Sequence, residues 1–103
     1  MYVNSPPYFE VNDNLDDLTH GPIVDQEGFS ERIIEFVEWN LNNMSKLDIL
    51  CYLVYPDGEV MEATLDEDGY LKSLQKCLDY YSSNEEYEKC NNIKNIIKKY
   101  ELQ

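Results

Sequence analysis

Residues 49–55 form an unbroken apolar run rich in β-branched and aromatic side chains, and Pro56, Asp57 and Gly58 follow it directly. Beyond this turn signal, residues 59–65 alternate Met61, Ala63 and Leu65 against Glu62 and Thr64. The period of two on either side of good turn chemistry predicts a β-hairpin. Its first strand, over 47–55, is nearly all apolar and should be covered on both faces. A lone two-stranded hairpin is marginal in water. The rest of the chain must supply helices to pack on it, a third strand from the N-terminal segment, or both. With 103 residues in all, there is room for one small domain.

Helical spacing takes over on both sides of the hairpin. Phe29, Ile33, Phe36, Val37, Asn40, Leu41 and Met44 fall on one stripe of a helix that starts near Asp25, where Asp25 and Glu27 suit the helix dipole. Glu31, Glu35, Glu38 and Asn42 lie opposite. After Asp66, Glu67, Asp68 and Gly69, a second helix is predicted over 70–81, with Leu71, Leu74, Leu78 and Tyr81 inward and Cys77 beside them. Ser82, Ser83 and Asn84 break it. Ser83 with Glu86 has the spacing of a capping box for a third helix running to about Tyr100, its inner stripe being Tyr87, Cys90, Ile93, Ile97 and Tyr100. So short a break makes the last two helices antiparallel neighbours. The expected class is α+β: an extended acidic arm over 1–24, then one domain over 25–103 of order α-β-β-α-α, the hairpin packed against helices.

The arm contains Pro6, Pro7, Gly21 and Pro22 with several Asn and Asp between them, and allows at most a short strand over residues 8–11. Such a segment is a candidate for ordering on binding or assembly. The formal net charge is -13 and is unevenly spread. Residues 1–45 hold nine acids and one base, residues 46–75 seven and two, and residues 76–103 five of each. The negative field repels phosphate backbones and anionic lipid, which argues against direct nucleic-acid or membrane binding. Hydrophobic residues at 43% and nine tyrosines nevertheless make this a folding sequence, unlike most acidic disordered chains.

Tyr87, Glu88, Lys89, Cys90, Ile93, Lys94 and Ile97 form a pattern that resembles the second helix of the UVR motif, a small helical hairpin of nucleotide-excision repair proteins and some Clp-type chaperone partners. The likeness covers about 30 residues. It departs from the motif at Asn91, where a small apolar residue is preferred, and at Asn95, where Asp is usual. The resemblance implies a docking element for protein association and no catalysis. Set against it is a generic antiparallel hairpin with an aromatic plug at its turn. In overall composition, rich in Asn, Tyr, Lys and Ile, the chain is similar to small acidic accessory proteins of tailed bacteriophages.

The chemistry-bearing residues form no recognisable catalytic set. Cys51, Cys77 and Cys90 are odd in number and contain no C-x-x-C pair, as expected of buried thiols in a reducing cytoplasm, of the host or in a virion if the chain is phage-encoded. Cys77 and Cys90 flank the helical break almost symmetrically, so a redox-switched disulfide is the alternative reading. Asp66, Glu67, Asp68 and Gly69 fail the EF-hand spacing at Thr64 and Gln75. Asp13, Asp16 and Asp17 read as a solvated arm, and the single His20 has no nucleophile partner. No metal, no cofactor and no enzymatic activity are expected. A secretory signal is not visible at the start, and no run approaches a membrane span.

Trp39 breaks the helical pattern. It sits about 160° from the centre of the apolar stripe, on a side shared with Arg32 and Glu35. Either it is an exposed interface anchor, since aromatics are over-represented among hot spots, or Tyr2, Tyr8 or Phe9 folds over it. The expected role is binding of a protein partner through Trp39, Arg32, Glu31, Glu35, Glu38, Tyr8 and Phe9, with electrostatics speeding encounter with a basic surface. The rival is a DNA-mimic inhibitor of a nucleic-acid or host-defence enzyme, in which Glu59, Glu62, Asp66, Glu67 and Asp68 stand in for phosphates. A homo-oligomer is compatible with an exposed Trp and an open sheet edge.

Overall fold

The hairpin turn is built as its residues dictate. In the computed structural model, which describes residues 6–12 and 23–102, the Gly58 N–H donates to Tyr55 O at 2.9 Å and the Tyr55 N–H to Glu59 O at 2.9 Å. Pro56 enters the turn with its fixed φ, and Gly58 takes a φ of +90°, which only glycine adopts freely. Asp57 Oδ1 accepts the Glu59 N–H at 2.9 Å. This is the pattern of a type I turn followed by a left-handed glycine, a common three-residue hairpin loop.

The elements run β1 (Tyr8–Glu10), α1 (Gln26–Asn42), β2 (Ile49–Val54), β3 (Val60–Thr64), α2 (Glu67–Ser83) and α3 (Tyr87–Glu101). The chain is α+β, with a three-stranded mixed sheet of order β1-β2-β3 and a C-terminal helical hairpin. Cα positions divide it into two compact units, residues 1–32 with 48–65 and residues 33–47 with 66–103.

In the first unit, the segment around Tyr8 supplies the third strand that the hairpin needs. It pairs parallel to β2, with Tyr8 beside Tyr52, Phe9 beside Leu53 and Glu10 beside Val54. Phe9 is buried edge-on against Phe29 of α1, ring centroids 5.6 Å apart. Val11 bridges to Ile23, and Val24 N–H donates to Glu10 O, so the outer side of β1 is covered. The β2–β3 ladder slips between Ile49 and Cys51. Arg32 meets this slip: its Nε–H donates to Leu50 O at 2.6 Å and its Nη2 to Ile49 O at 3.2 Å. Arg32 is 6% exposed, so the surface position expected for it beside Trp39 is corrected. Helical spacing alone puts a charged residue outside, whereas the bulge leaves carbonyls that a guanidinium fork satisfies. Met61, on the apolar side of the alternation, is 51% exposed on the edge strand β3.

The second unit is helical. Among the described residues, Ile33, Phe36, Val37, Tyr70, Leu74, Cys77, Tyr81, Cys90, Ile93 and Ile96 are its buried apolar side chains, and Asn40 is the buried polar one. Asn40 donates to Tyr70 Oη at 2.9 Å and accepts from Leu47 N–H at 2.8 Å, tying the exit of α1 to α2. Here α1 stops at Asn42, two residues short of the expected Met44, which is 98% exposed. The inner line of α2 is Tyr70, Leu74, Cys77 and Tyr81, with Leu71 turned out. In α3, Ile96 takes the inner place given to Ile97, and Tyr87 is exposed.

The break between α2 and α3 also differs from expectation. Ser83 is the last residue of α2, and no side chain caps α3 at Glu86. Instead Glu85 adopts φ +59°, the Glu86 N–H donates to Tyr81 O at 2.9 Å and the Glu85 N–H to Ser82 O at 3.1 Å. Those two bonds define a Schellman C-cap. The spacing that mimics a capping box therefore belongs to the end of one helix, not to the start of the next.

Candidate functional site

The accessible chemistry of the first unit lies on its sheet. Alternation puts Tyr8, Glu10, Tyr52, Val54, Val60 and Glu62 on one face and Phe9, Leu53, Cys51, Met61 and Ala63 on the other. On the first face, registers form two rows, Tyr8–Tyr52–Glu62 and Glu10–Val54–Val60. Tyr8 is 65% exposed and stacks on Tyr52 with centroids 4.9 Å apart. Each row thus ends in a carboxylate on an apolar strip, a surface suited to cationic side chains with aliphatic stems.

Beside the turn, Tyr55, Pro56, Asp57, Glu59 and Met61 line an open cleft of about 420 Å³. Its floor is apolar and its rim carries two carboxylates. The sequence of this unit, including its undescribed residues, holds eleven acids and a single base, Arg32. With that base buried on main-chain carbonyls, the accessible charge of the described residues in this unit is all negative.

The predicted contact residues are dispersed by the fold. Glu31, Glu35 and Glu38 are exposed on α1, as expected for its polar side. Phe9 is buried and offers no contact surface, because a strand alternation that exposes Tyr8 must turn its neighbour inward. Trp39 is half-buried, and its Nε1–H donates to Ser45 O at 3.0 Å while its own carbonyl accepts the Asn43 N–H and the Asn43 side chain. The indole is thus tied to the turn that follows its helix. Glu59, Glu62, Asp66, Glu67 and Asp68 are all exposed. Tyr2, Asp13, Asp16, Asp17 and His20 lie outside the described residues. Glu10, Tyr52 and Val60 are not marked by the sequence, because their common face depends on the β1–β2 and β2–β3 registers, which strand periodicity alone does not reveal.

The three cysteines are buried free thiols. Burial pushes the Cys51 thiol up to about 11, against the opposing pull of the Arg32 charge. Cys90 Sγ lies 3.9 Å from Leu78 O. Among the described residues, no three His, Cys, Asp or Glu side chains are grouped so as to hold a metal ion, and no helix is long and apolar enough to cross a membrane. The chain matches no family model, no curated protein and no solved structure.

Proposed function

We propose that the chain is a non-catalytic accessory protein, of the phage or bacterial kind its composition resembles, that binds a protein partner with a basic surface. One observation carries this reading: the charge imbalance is concentrated in the sheet unit, where the described residues expose only carboxylates, and these flank the uncovered Tyr8 and Val60. Carboxylates raise the encounter rate with a cationic surface, whereas exposed aromatic and aliphatic area supplies affinity that salt does not screen. Glu31, Glu35 and Glu38 are exposed along α1, and in the second unit the ring of Trp39 is offered as a separate aromatic contact. The neutral C-terminal hairpin, with its likeness to the UVR motif, would serve as a docking element.

The test is capture of the tagged full chain with its partners from native or infected cells at low and at high salt. The expected result is a basic partner retained at both and lost on Tyr8→Ala or Trp39→Ala. A nucleic-acid enzyme recovered only at low salt and displaced by duplex DNA would replace this reading with DNA mimicry. Absence of a specific partner at either salt would overturn both.

A further inference from the structure

Among the described residues, nothing pairs with the outer edge of β3. Tyr55 and Glu59 are a hydrogen-bonded pair, and antiparallel alternation makes Leu53–Met61 and Cys51–Ala63 the next such pairs. The β2 groups between them are used on the other side, since Tyr52 N–H donates to Pro7 O and Val54 O accepts from Val11 N–H, both at 2.9 Å. The N–H and C=O of Val60 and Glu62 therefore point away from β2, along a free edge. Natural edges are usually blunted by Lys, Pro, a bulge or a covering segment. Residues 60–64 contain no Lys or Pro, the bulge lies on β2, and no described segment pairs along β3, whose one charged side chain is Glu62. The opposite edge, at β1, is by contrast covered by residues 23–24.

We propose that the β3 edge takes an extended, cationic segment of a partner protein as a fourth strand, with one Lys or Arg side chain of that segment seated in the cleft beside the hairpin turn. The inference rests on the partner-binding reading and names where and what is bound. Charge complementarity selects the occupant. Glu59 and Glu62 flank the edge, Asp57 joins Glu59 on the cleft rim, and Tyr55, Pro56 and Met61 provide an apolar floor for an alkyl stem. A second copy of the chain is the wrong occupant, because antiparallel pairing of two β3 edges centred on Glu62 would set the two Glu62 carboxylates against each other. Residues 13–22 of the same chain carry three Asp and no Lys or Arg, so they lack the complementary charge as well.

The test uses the full-length chain and a capped heptapeptide alternating Arg with Val, with the Glu-Val counterpart as control, followed by amide hydrogen exchange and chemical shifts. Addition of the Arg peptide is expected to slow exchange of the Val60 and Glu62 amides about tenfold, with the Glu peptide inert. Glu62→Pro removes an outward N–H that β2 does not use, and so should abolish binding while leaving the hairpin folded. As a variant with no backbone change, the double substitution Asp57→Asn with Glu59→Gln should weaken binding about tenfold. Peptide binding without protection of these amides, or no binding, overturns the proposal. So does protection that rises with protein concentration in the absence of peptide, which would assign the edge to a second copy. Because the readout is edge protection by a defined peptide, its failure is separable from failure of the cellular capture that tests the broader reading.

Discussion

Arg32 shows how a charged side chain becomes structural. Its fork serves two carbonyls at the β2 irregularity, Leu50 O and Ile49 O. Removing it leaves both acceptors buried without that donor, and Arg32→Met is expected to lower stability by about 2–4 kcal/mol in urea unfolding. Arg32→Lys should recover less than half of that loss, since an ammonium cannot span two acceptors as a planar fork does. Equal stability of the Met variant would show that the bulge carbonyls find other donors. Cys51, beside this charge, gives a pH signature. Its thiol is pushed up to about 11 by burial, above the ordinary value of 9.0 that it regains on unfolding. The stabilisation is complete below the ordinary value and is lost as pH rises through the folded one. Wild type should therefore lose more stability between pH 8 and pH 11 than Cys51→Ala does, by about 2–3 kcal/mol, measured as the difference in urea midpoints. Parallel losses in the two proteins would remove Cys51 as the cause.

Between α2 and α3 the chain spends conformational energy at one residue. Glu85 holds φ +59° in a Schellman cap, a place where glycine has no Cβ to accommodate. Glu85→Gly is expected to stabilise the protein by about 0.5–1 kcal/mol, seen as a higher melting temperature, and a drop instead would mean that the glutamate side chain contributes something the cap geometry does not show. This element was misread from sequence for a physical reason. Serine three residues before glutamate favours an N-cap, but a C-cap built on a left-handed glutamate has no composition signal. The hairpin was legible because proline, aspartate and glycine each suit one position of its turn, and the third strand was foreseeable from the marginality of two. The register of β1 was not, so the row Tyr8–Tyr52–Glu62 stayed hidden although Tyr8 itself was singled out. Except at Met44 and Tyr87, which are exposed, the helix stripes are legible to within one position. Leu71 and Ile97 lost their inner places to Tyr70 and Ile96, because packing of one helix on another selects a line that intrinsic hydrophobicity leaves open. For Trp39 the sequence posed the right anomaly, but the hydrogen bond to Ser45 depends on where the helix ends, which is the least legible part of any helix.

Across the whole molecule the acidity follows the fold more closely than it follows the chain. Read linearly, the front three-quarters is acidic and the tail neutral. Read by compact units, residues 1–32 with 48–65 hold eleven acids and one base, whereas residues 33–47 with 66–103 hold ten acids and seven bases. Among its described residues the sheet unit gathers eight carboxylates, Glu10, Asp25, Glu27, Glu31, Asp48, Asp57, Glu59 and Glu62, without accessible counter-charge. Self-repulsion of that kind opposes the compact state and is screened by salt over a length of about 10 Å at 0.1 M. Raising NaCl from about 0.02 M to 0.5 M at pH 7 is expected to raise the melting temperature by about 5 °C, the shift that roughly 1 kcal/mol produces in a domain of this size. Sodium chloride is the right salt for this test because sulfate would add a general strengthening of apolar burial. If the melting temperature were flat or fell with salt at pH 7, local ion pairs would outweigh repulsion. The imbalance would then cost the fold nothing, and its presence could not be ascribed to a stability sacrificed for partner encounter.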